Sequence, residues 1–533
     1  MYHNHSISTT NCITGRHGMV ATTQPLAAQA GLQILQQGGN AIDAAIATAA
    51  CLTVVEPTCC GIGGDAFAII HTKDGLFGIN GSGPAPRSIS IEQMQKRGFD
   101  QMPLMGWPSV TVPGIPKTWA ELSKRYGALT LEQVLQPAIH HATQGYRVTA
   151  QIARAWERTY QIYEEKPEKL DYAEWFRVFA PHGRVPKEGE LWSSMEHAHT
   201  LQEIAETKAE SFYRGRLAEA LIQASEKAHG FLRYEDLSGY EIEWVTPLSV
   251  SYRGYDIWEL PPNGQGIIAL TAFHILEQMR ASSGTTDEWY HRQIEAIKTA
   301  FVHVSKEVRD PKDVNWDRIH TLLSKDFARS CANQMTERAI SPSAIETSQG
   351  GTVYLCTADR DGNMVSYIQS NYYGFGSGIV IPNTGIALQN RGFDFKLDEH
   401  HPHALRGGQR PYHTIMPGFI TREQKPIGPF GVMGGYMQPQ AHVQVISHML
   451  DQLLSPQEAL QASRFRWVKE NQVEVEPEFS EEIMQKLLAR GHNIKVSQDI
   501  DAFGRGQVIL RNPETGLYIG GTDQRVDGIV AAW

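Results

Sequence analysis

Two alternating apolar runs joined by Asp-Gly constrain this chain more than any other feature: Thr352 to Ala358, a turn at Asp361-Gly362, then Asn363 to Ser370. Asp-Gly supplies the left-handed dihedrals of a tight turn whose twist matches paired antiparallel strands. The device recurs where Ala66 to His71 and Leu76 to Asn80 flank Lys73-Asp74-Gly75, where two strands flank Arg422 to Lys425, and where QVILRN and LYIGGT flank Pro513-Glu514-Thr515-Gly516. Such a chain must build antiparallel sheet. Helical signals lie between the hairpins. Gly18 to Ala21 reads as a strand, Pro25 opens a helix (Leu26, Ala30, Leu32, Leu35) that stops at Gly38-Gly39, and Asn40 caps a second helix through Val54. Lys117 to Met335 is mostly helical, with strands near Pro247 to Trp258; Trp156, Trp175 and Trp192 place a peripheral layer of polar helices there. Further helices start at Ser455-Pro456 and span Ser480 to Arg490. No repeat or linker divides the chain, so residues 1–533 read as a single interleaved α+β body with helices packed on antiparallel sheets.

With 48 Lys plus Arg against 58 Asp plus Glu, the net charge of −10 offers no field for a phosphate backbone, and nucleic acid is excluded as a partner. The six cysteines show no CxxC spacing, which fits a reduced compartment; Cys59-Cys60 is read as two structural thiols, with a redox pair as the alternative. The N-terminal stretch MYHNHSISTTNCITGRHG lacks the apolar core of a secretory signal. Ala41 to Val55 carries Asp43 and is too short for a membrane span, so it reads as a buried helix. The expectation is a cytoplasmic protein without a membrane partner.

Three motifs fail on context. Gly61 to Ala66 matches GxGxxA, but a helix precedes it and a strand follows, the reverse of a dinucleotide site. Glu399, His400, His401 and His403 have ligand chemistry, yet Pro402 interrupts them and they read as a solvated loop. No GxSxG elbow supplies a serine nucleophile. No metal and no cofactor is implied. The informative stretch is Gly350-Gly351-Thr352, a threonine at the head of a strand whose hydroxyl can reach the preceding carbonyl. Taken alone, it reads as an ordinary strand start.

The segment GGTVYLCTADRDGNMVSYIQSNYYGFGSGIVIPNTGIALQNRGFDF resembles the small-subunit start of the γ-glutamyltranspeptidase family of N-terminal-nucleophile hydrolases. GMVATTQPLAAQAGLQILQQGGNAIDAAIATAACLTVVEP resembles that family's N-terminal helix pair, and Val112-Pro113-Gly114, ELPPNGQG and SRFRW fit as well. The resemblance implies a four-layer αββα sandwich and self-cleavage between Gly351 and Thr352, giving a large subunit of residues 1–351 and a small catalytic subunit of residues 352–533 paired as a heterodimer, with a larger assembly left open. Freed as an N-terminus, Thr352 would carry both nucleophilic hydroxyl and basic amine, so no histidine is required. The resemblance further implies that Ser370 orients Thr352, that the Gly434-Gly435 amides hold the oxyanion, and that Asp394 binds a donor α-ammonium.

Three positions depart from the family's pattern. Ser82 stands where an arginine grips the donor carboxylate, with Arg87 five residues on as a substitute; His413-Thr414 replace a Ser-Ser pair; and Arg391 replaces a glutamine and offers a carboxylate clamp from another side. Members called cephalosporin acylases share the general pattern. The implied reaction is therefore hydrolysis or transfer of a γ-glutamyl (glutathione-like) or glutaryl-like amide, through an acyl-enzyme on Thr352. The alternative is an uncut, inactive homologue that only binds a small ligand.

Overall fold

The computed structural model describes residues 11–166, 172–279, 285–342 and 350–533. Residues 1–10 of the polar N-terminal stretch lie outside them.

Among the described residues, two seven-stranded sheets form the centre. One runs Ile529–Ala532, Gly18–Thr22, Gly351–Asp359, Met364–Tyr372, Asp65–Thr72, Gly75–Gly81 and Glu243–Val245. The other runs Ile13–Gly15, Tyr518–Thr522, Arg505–Arg511, Lys425–Met433, Gly418–Arg422, Tyr255–Glu259 and Leu248–Tyr252. Neighbours in both sheets are antiparallel. Each sheet takes strands from both sides of Gly351.

The period of two assigns the layers. Val353, Leu355, Val365 and Tyr367 face helices that include Ala41–Val55, while Tyr354, Cys356, Ala358 and Ile368 face Phe419, Ile509 and Tyr518 of the other sheet. That second sheet turns Ile257, Ile420, Val432 and Val508 outward onto Gly266–Gln278, Thr286–Val304 and Met437–Asp451. Helix, sheet, sheet and helix follow in order, as the resemblance implied.

Local chemistry sets the element ends. The Asn40 side chain accepts from the Ile42 and Asp43 amides, and Asp43 accepts from Asn40 N at 3.0 Å, a capping box. All fifteen residues of Ala41–Val55 are buried, which accounts for its apolar circumference without a membrane. No described helix is long and apolar enough to cross one.

The strands expected near Pro247 to Trp258 are present and form a hairpin turned by Arg253 (φ 53°) and Gly254 (φ 81°), where Arg-Gly performs what Asp-Gly performs elsewhere. One expectation needs correcting. Trp192 lies on a two-residue strand paired with Tyr146–Arg147, not on a helix. Trp156 and Trp175 do lie on peripheral helices. They pack 5.6 and 5.2 Å from the Phe375 ring, which pins the glycine-rich segment that follows Tyr372.

Candidate active site

Thr352 is the second residue of its strand, at a break in the ladder: Gly351 pairs with Tyr372 and Val353 with Gln369, so Ser370 and Asn371 together oppose Thr352. Such bulges re-aim side chains. Thr352 Oγ1 donates to Ser370 Oγ at 3.1 Å, Ser370 Oγ donates to the Gly351 carbonyl at 2.6 Å, and the Tyr372 N–H donates to Ser370 Oγ at 2.7 Å. A hydroxyl has one proton, so these contacts fix the direction of every bond. Thr352 is buried, and Gly351 opens onto a cavity of about 550 Å³ shared with Glu56, Cys59, Tyr373, Asn390 and Arg505. Burial pushes Glu56 up to about 7 and the Cys59 thiol up to about 12, so that thiol stays protonated. Cys59 and Cys60 are both free.

The glycine loop before the strand Asp65–Thr72 serves close packing. A Cβ on Gly63 would sit 2.5 Å from the Ala387 carbonyl, and one on Gly64 2.5 Å from Asn371 Oδ1.

A second cluster adjoins the first through Tyr372. Its hydroxyl donates to Asp394 Oδ1 at 2.7 Å, and the Arg391 guanidinium lies 3.8 Å over its ring. Arg391 Nη1 donates to Thr414 Oγ1 at 2.8 Å and lies 3.6 Å from Asp394 Oδ2. Arg391 is fully buried, yet its Nε and Nη2 have no hydrogen-bond partner among the described residues. Burial lifts Asp394 to about 6, against the opposing pull of Arg391. Gln265 Nε2 then donates to both the Thr414 and Gly435 carbonyls, at 2.5 and 2.9 Å. Thr352, Ser370, Asp394, Arg391, Thr414 and Gly435 thus lie on one continuous path of contacts.

Gly434 (φ 140°) and Gly435 (φ 58°) join the strand Lys425–Met433 to the helix Met437–Asp451 in dihedrals that favour glycine. Their carbonyls accept from the Met437 and Gln438 amides, and no described residue accepts either glycine N–H.

His413 and Ser82 lie behind this path. His413 Nδ1 accepts from Ile415 N, so its Nε2–H donates to Asp65 Oδ2 at 3.1 Å, and burial holds the ring neutral. Asp65 sits opposite Ser370 in the ladder and also accepts from Gly83 N. The Ser82 hydroxyl donates to Asn80 Oδ1 at 2.7 Å inside the protein. Arg87 is not brought to Arg391: it is exposed and lines another cavity with Asp236, Glu243 and Arg410. The loop at Glu399 and His400 is exposed.

Sequence reasoning missed Tyr372, Asp65 and Gln265, which only strand pairing and chain crossing bring to the site. It also missed a buried trio of His291, Glu295 and His492, whose ligand atoms lie within 4.8 Å of one another. His492 Nε2 and His291 Nδ1 are 2.8 Å apart, His291 Nε2 donates to Thr336 O, and Lys298 donates to Glu295 at 2.8 Å. The trio is a satisfied polar knot in which a cation would compete with an ammonium.

The γ-glutamyltranspeptidase family model matches residues 27–533. The glutathione hydrolase-like YwrD proenzyme of Bacillus subtilis is 35% identical over 97% of this chain and 98% of its own length. The oxamate amidohydrolase proenzyme of Klebsiella pneumoniae is 32% identical over 97% and 98%. The crystal structure of cephalosporin acylase from Bacillus halodurans superposes with a TM-score of 0.95 at 52% identity, covering 100% of this chain and 99% of that one. The sandwich, the threonine-headed strand and these likenesses agree, and the chain belongs to the γ-glutamyltranspeptidase family of N-terminal-nucleophile hydrolases.

Proposed function

We propose that Thr352 first cuts its own chain after Gly351 and then carries acyl groups from small acidic amides. The observation that carries this reading is the Ser370 hydroxyl standing between Thr352 Oγ1 and the Gly351 carbonyl oxygen. In the first step Thr352 Oγ1 bonds to the Gly351 carbonyl carbon, Ser370 steadies the oxygen as it gains charge, and the C–N bond breaks with the hydroxyl proton passing to the Thr352 nitrogen. Water then hydrolyses the ester. The freed amine, with a reference pKa of about 7.7–8.0, acts as base for the same hydroxyl in each later turnover. A substrate amide acylates Thr352 Oγ1, its amine leaves with a proton, and water or a second amine removes the acyl group. The diglycine N–H groups are suited to the acyl oxyanion. No metal or redox cofactor enters these steps. Because each sheet takes strands from both segments, the sheets would hold the two segments as one heterodimer. A denaturing gel with intact-mass measurement tests the reading: two fragments of 351 and 182 residues support it, and a full-length chain that persists supports the uncut binder.

Arg391, with two unpaired buried nitrogens, is the clamp for a donor carboxylate. Donors of both γ-glutamyl and glutaryl type carry one. Asp394, the expected partner of an α-ammonium, gives Oδ1 to Tyr372 and lies 3.6 Å from Arg391, while its Oδ2 has no hydrogen-bond partner among the described residues, so the site suits a donor of either type. Among the relatives, the acylase and oxamate amidohydrolase names favour the acid-only donor and the glutathione hydrolase-like name the γ-glutamyl one. Arg391→Lys loses the fork and raises KM for acidic anilides by about tenfold, and Arg391→Ala raises it further, with self-cleavage intact. Unchanged KM in steady-state assays would remove Arg391 from the clamp.

Gly435→Ala forces a Cβ into a left-handed dihedral, at a cost of roughly 1–2 kcal/mol, and disturbs the oxyanion donors, lowering kcat by about 10²–10³. Thermal melting and initial rates separate the two effects. Full activity would make the diglycine a turn and nothing more.

A further inference from the structure

Tyr372 touches both halves of the site and holds no role in the steps above. Its main chain belongs to the nucleophile side: it pairs with Gly351 across the ladder, and its N–H donates to Ser370 Oγ at 2.7 Å. Its side chain belongs to the acid side, donating to Asp394 Oδ1 at 2.7 Å and lying under the Arg391 guanidinium at 3.8 Å. The residue is fully buried, and its φ of 78° is a left-handed value that an aromatic side chain adopts only where its surroundings over-determine it. Here both ends are tied.

We infer that Tyr372 is a positioning residue that couples recognition of the donor's acid group to the nucleophile, its main chain fixing the Ser370 hydroxyl and its side chain fixing the Arg391–Asp394 pair. The inference rests on the proposed acyl transfer at Thr352. A carboxylate that pairs with the free edge of Arg391 presses the guanidinium onto the Tyr372 ring, and the ring shares one rigid residue with the N–H that orients Ser370. An acidic donor then gains in kcat as well as in KM, because remote binding energy is used to hold the reacting groups in place. A neutral donor does not reach this lever.

The test is Tyr372→Phe, which keeps the ring, the dihedral and the N–H while removing the phenol oxygen. Continued self-cleavage shows that the variant folds and keeps its contact with Ser370. With glutaryl p-nitroanilide, KM is expected to rise and kcat to fall, each by about fivefold or more, while kcat/KM for butyryl p-nitroanilide stays within about twofold. The acid limb of kcat/KM for the glutaryl donor should also move to higher pH. The phenol lowers the Asp394 pKa by donating to it, so its loss lets that pKa rise; the titratable groups facing Asp394 are Arg391, Lys396, Tyr372, Tyr412 and Tyr436. Asp394→Asn should cost less in the Phe background than in the parent, as coupled neighbours do. A KM effect with kcat unchanged, an equal loss on the neutral donor, or additive costs for the two substitutions would each overturn the inference. If the parent protein turned over neither anilide, or if Thr352→Ala still turned them over, the proposed acyl transfer would fail instead.

Discussion

Thr352→Ala is expected to accumulate as one full-length chain that never resolves into two fragments and releases no product from an acidic anilide. In the proposed reaction this hydroxyl forms the bond to the Gly351 carbonyl carbon and carries every later acyl group, so one substitution would remove both activities. The loss of turnover should be on the order of 10⁴ or more, as for deletion of other acyl-enzyme nucleophiles. The fold should survive. Thr352 is 2% exposed at a strand end, and the change forfeits a small side chain and one hydrogen bond, about 1–2 kcal/mol. A denaturing gel after long incubation, beside a melting curve, checks both statements. Thr352→Ser keeps the hydroxyl and should still cut, more slowly. Two-band processing of the alanine variant would place the nucleophile elsewhere.

Ser370→Ala is the second large effect. The Ser370 hydroxyl donates to the Gly351 oxygen at 2.6 Å, where the proposed self-cleavage would develop negative charge, and loss of one such donor slows a reaction by about 10²–10³. The same change leaves the buried Tyr372 N–H without its acceptor, at a cost of about 1–3 kcal/mol. Single-turnover processing followed by gel should therefore show slow cutting of a folded, somewhat less stable chain. Ser370→Thr retains the oxygen and should restore most of the rate. If Ser370→Ala matured at the parental rate, the hydroxyl would be structural and the scissile carbonyl would be polarised by another group.

Much of the frame is legible in the sequence because it rests on local chemistry. Asp-Gly turns, the Asn40 cap with Asp43 at its third helical position, and Ser455 ahead of Pro456 each act within four residues, and each appears where the pattern placed it. The site is legible in a different way. Gly351-Thr352 alone reads as a strand start, and the family resemblance singled it out. What neither route supplies is register. Asp65 faces Ser370 because two strands 305 positions apart pair, and Tyr372 reaches Asp394 because a bulge turns its backbone to φ 78°. Arg391 illustrates the same limit. Its replacement of a neutral amide was readable, but its stacking on Tyr372 and its unpaired nitrogens belong to the folded chain.

The threading of both sheets from both sides of Gly351 also bears on how a chain cut there, as proposed, would survive. Cutting one peptide bond removes no strand from either sheet, so the folded molecule need not notice it. The denatured molecule does. An intact precursor that unfolds keeps its halves tethered, whereas two separated segments must meet by diffusion before either sheet can be completed. Neither segment holds a full sheet alone, so each would expose unpaired strand edges while it waited. Cleavage as proposed would thus exchange a reversible balance for persistence: the cut enzyme would last as long as its unfolding barrier holds, and a lapse would be hard to reverse.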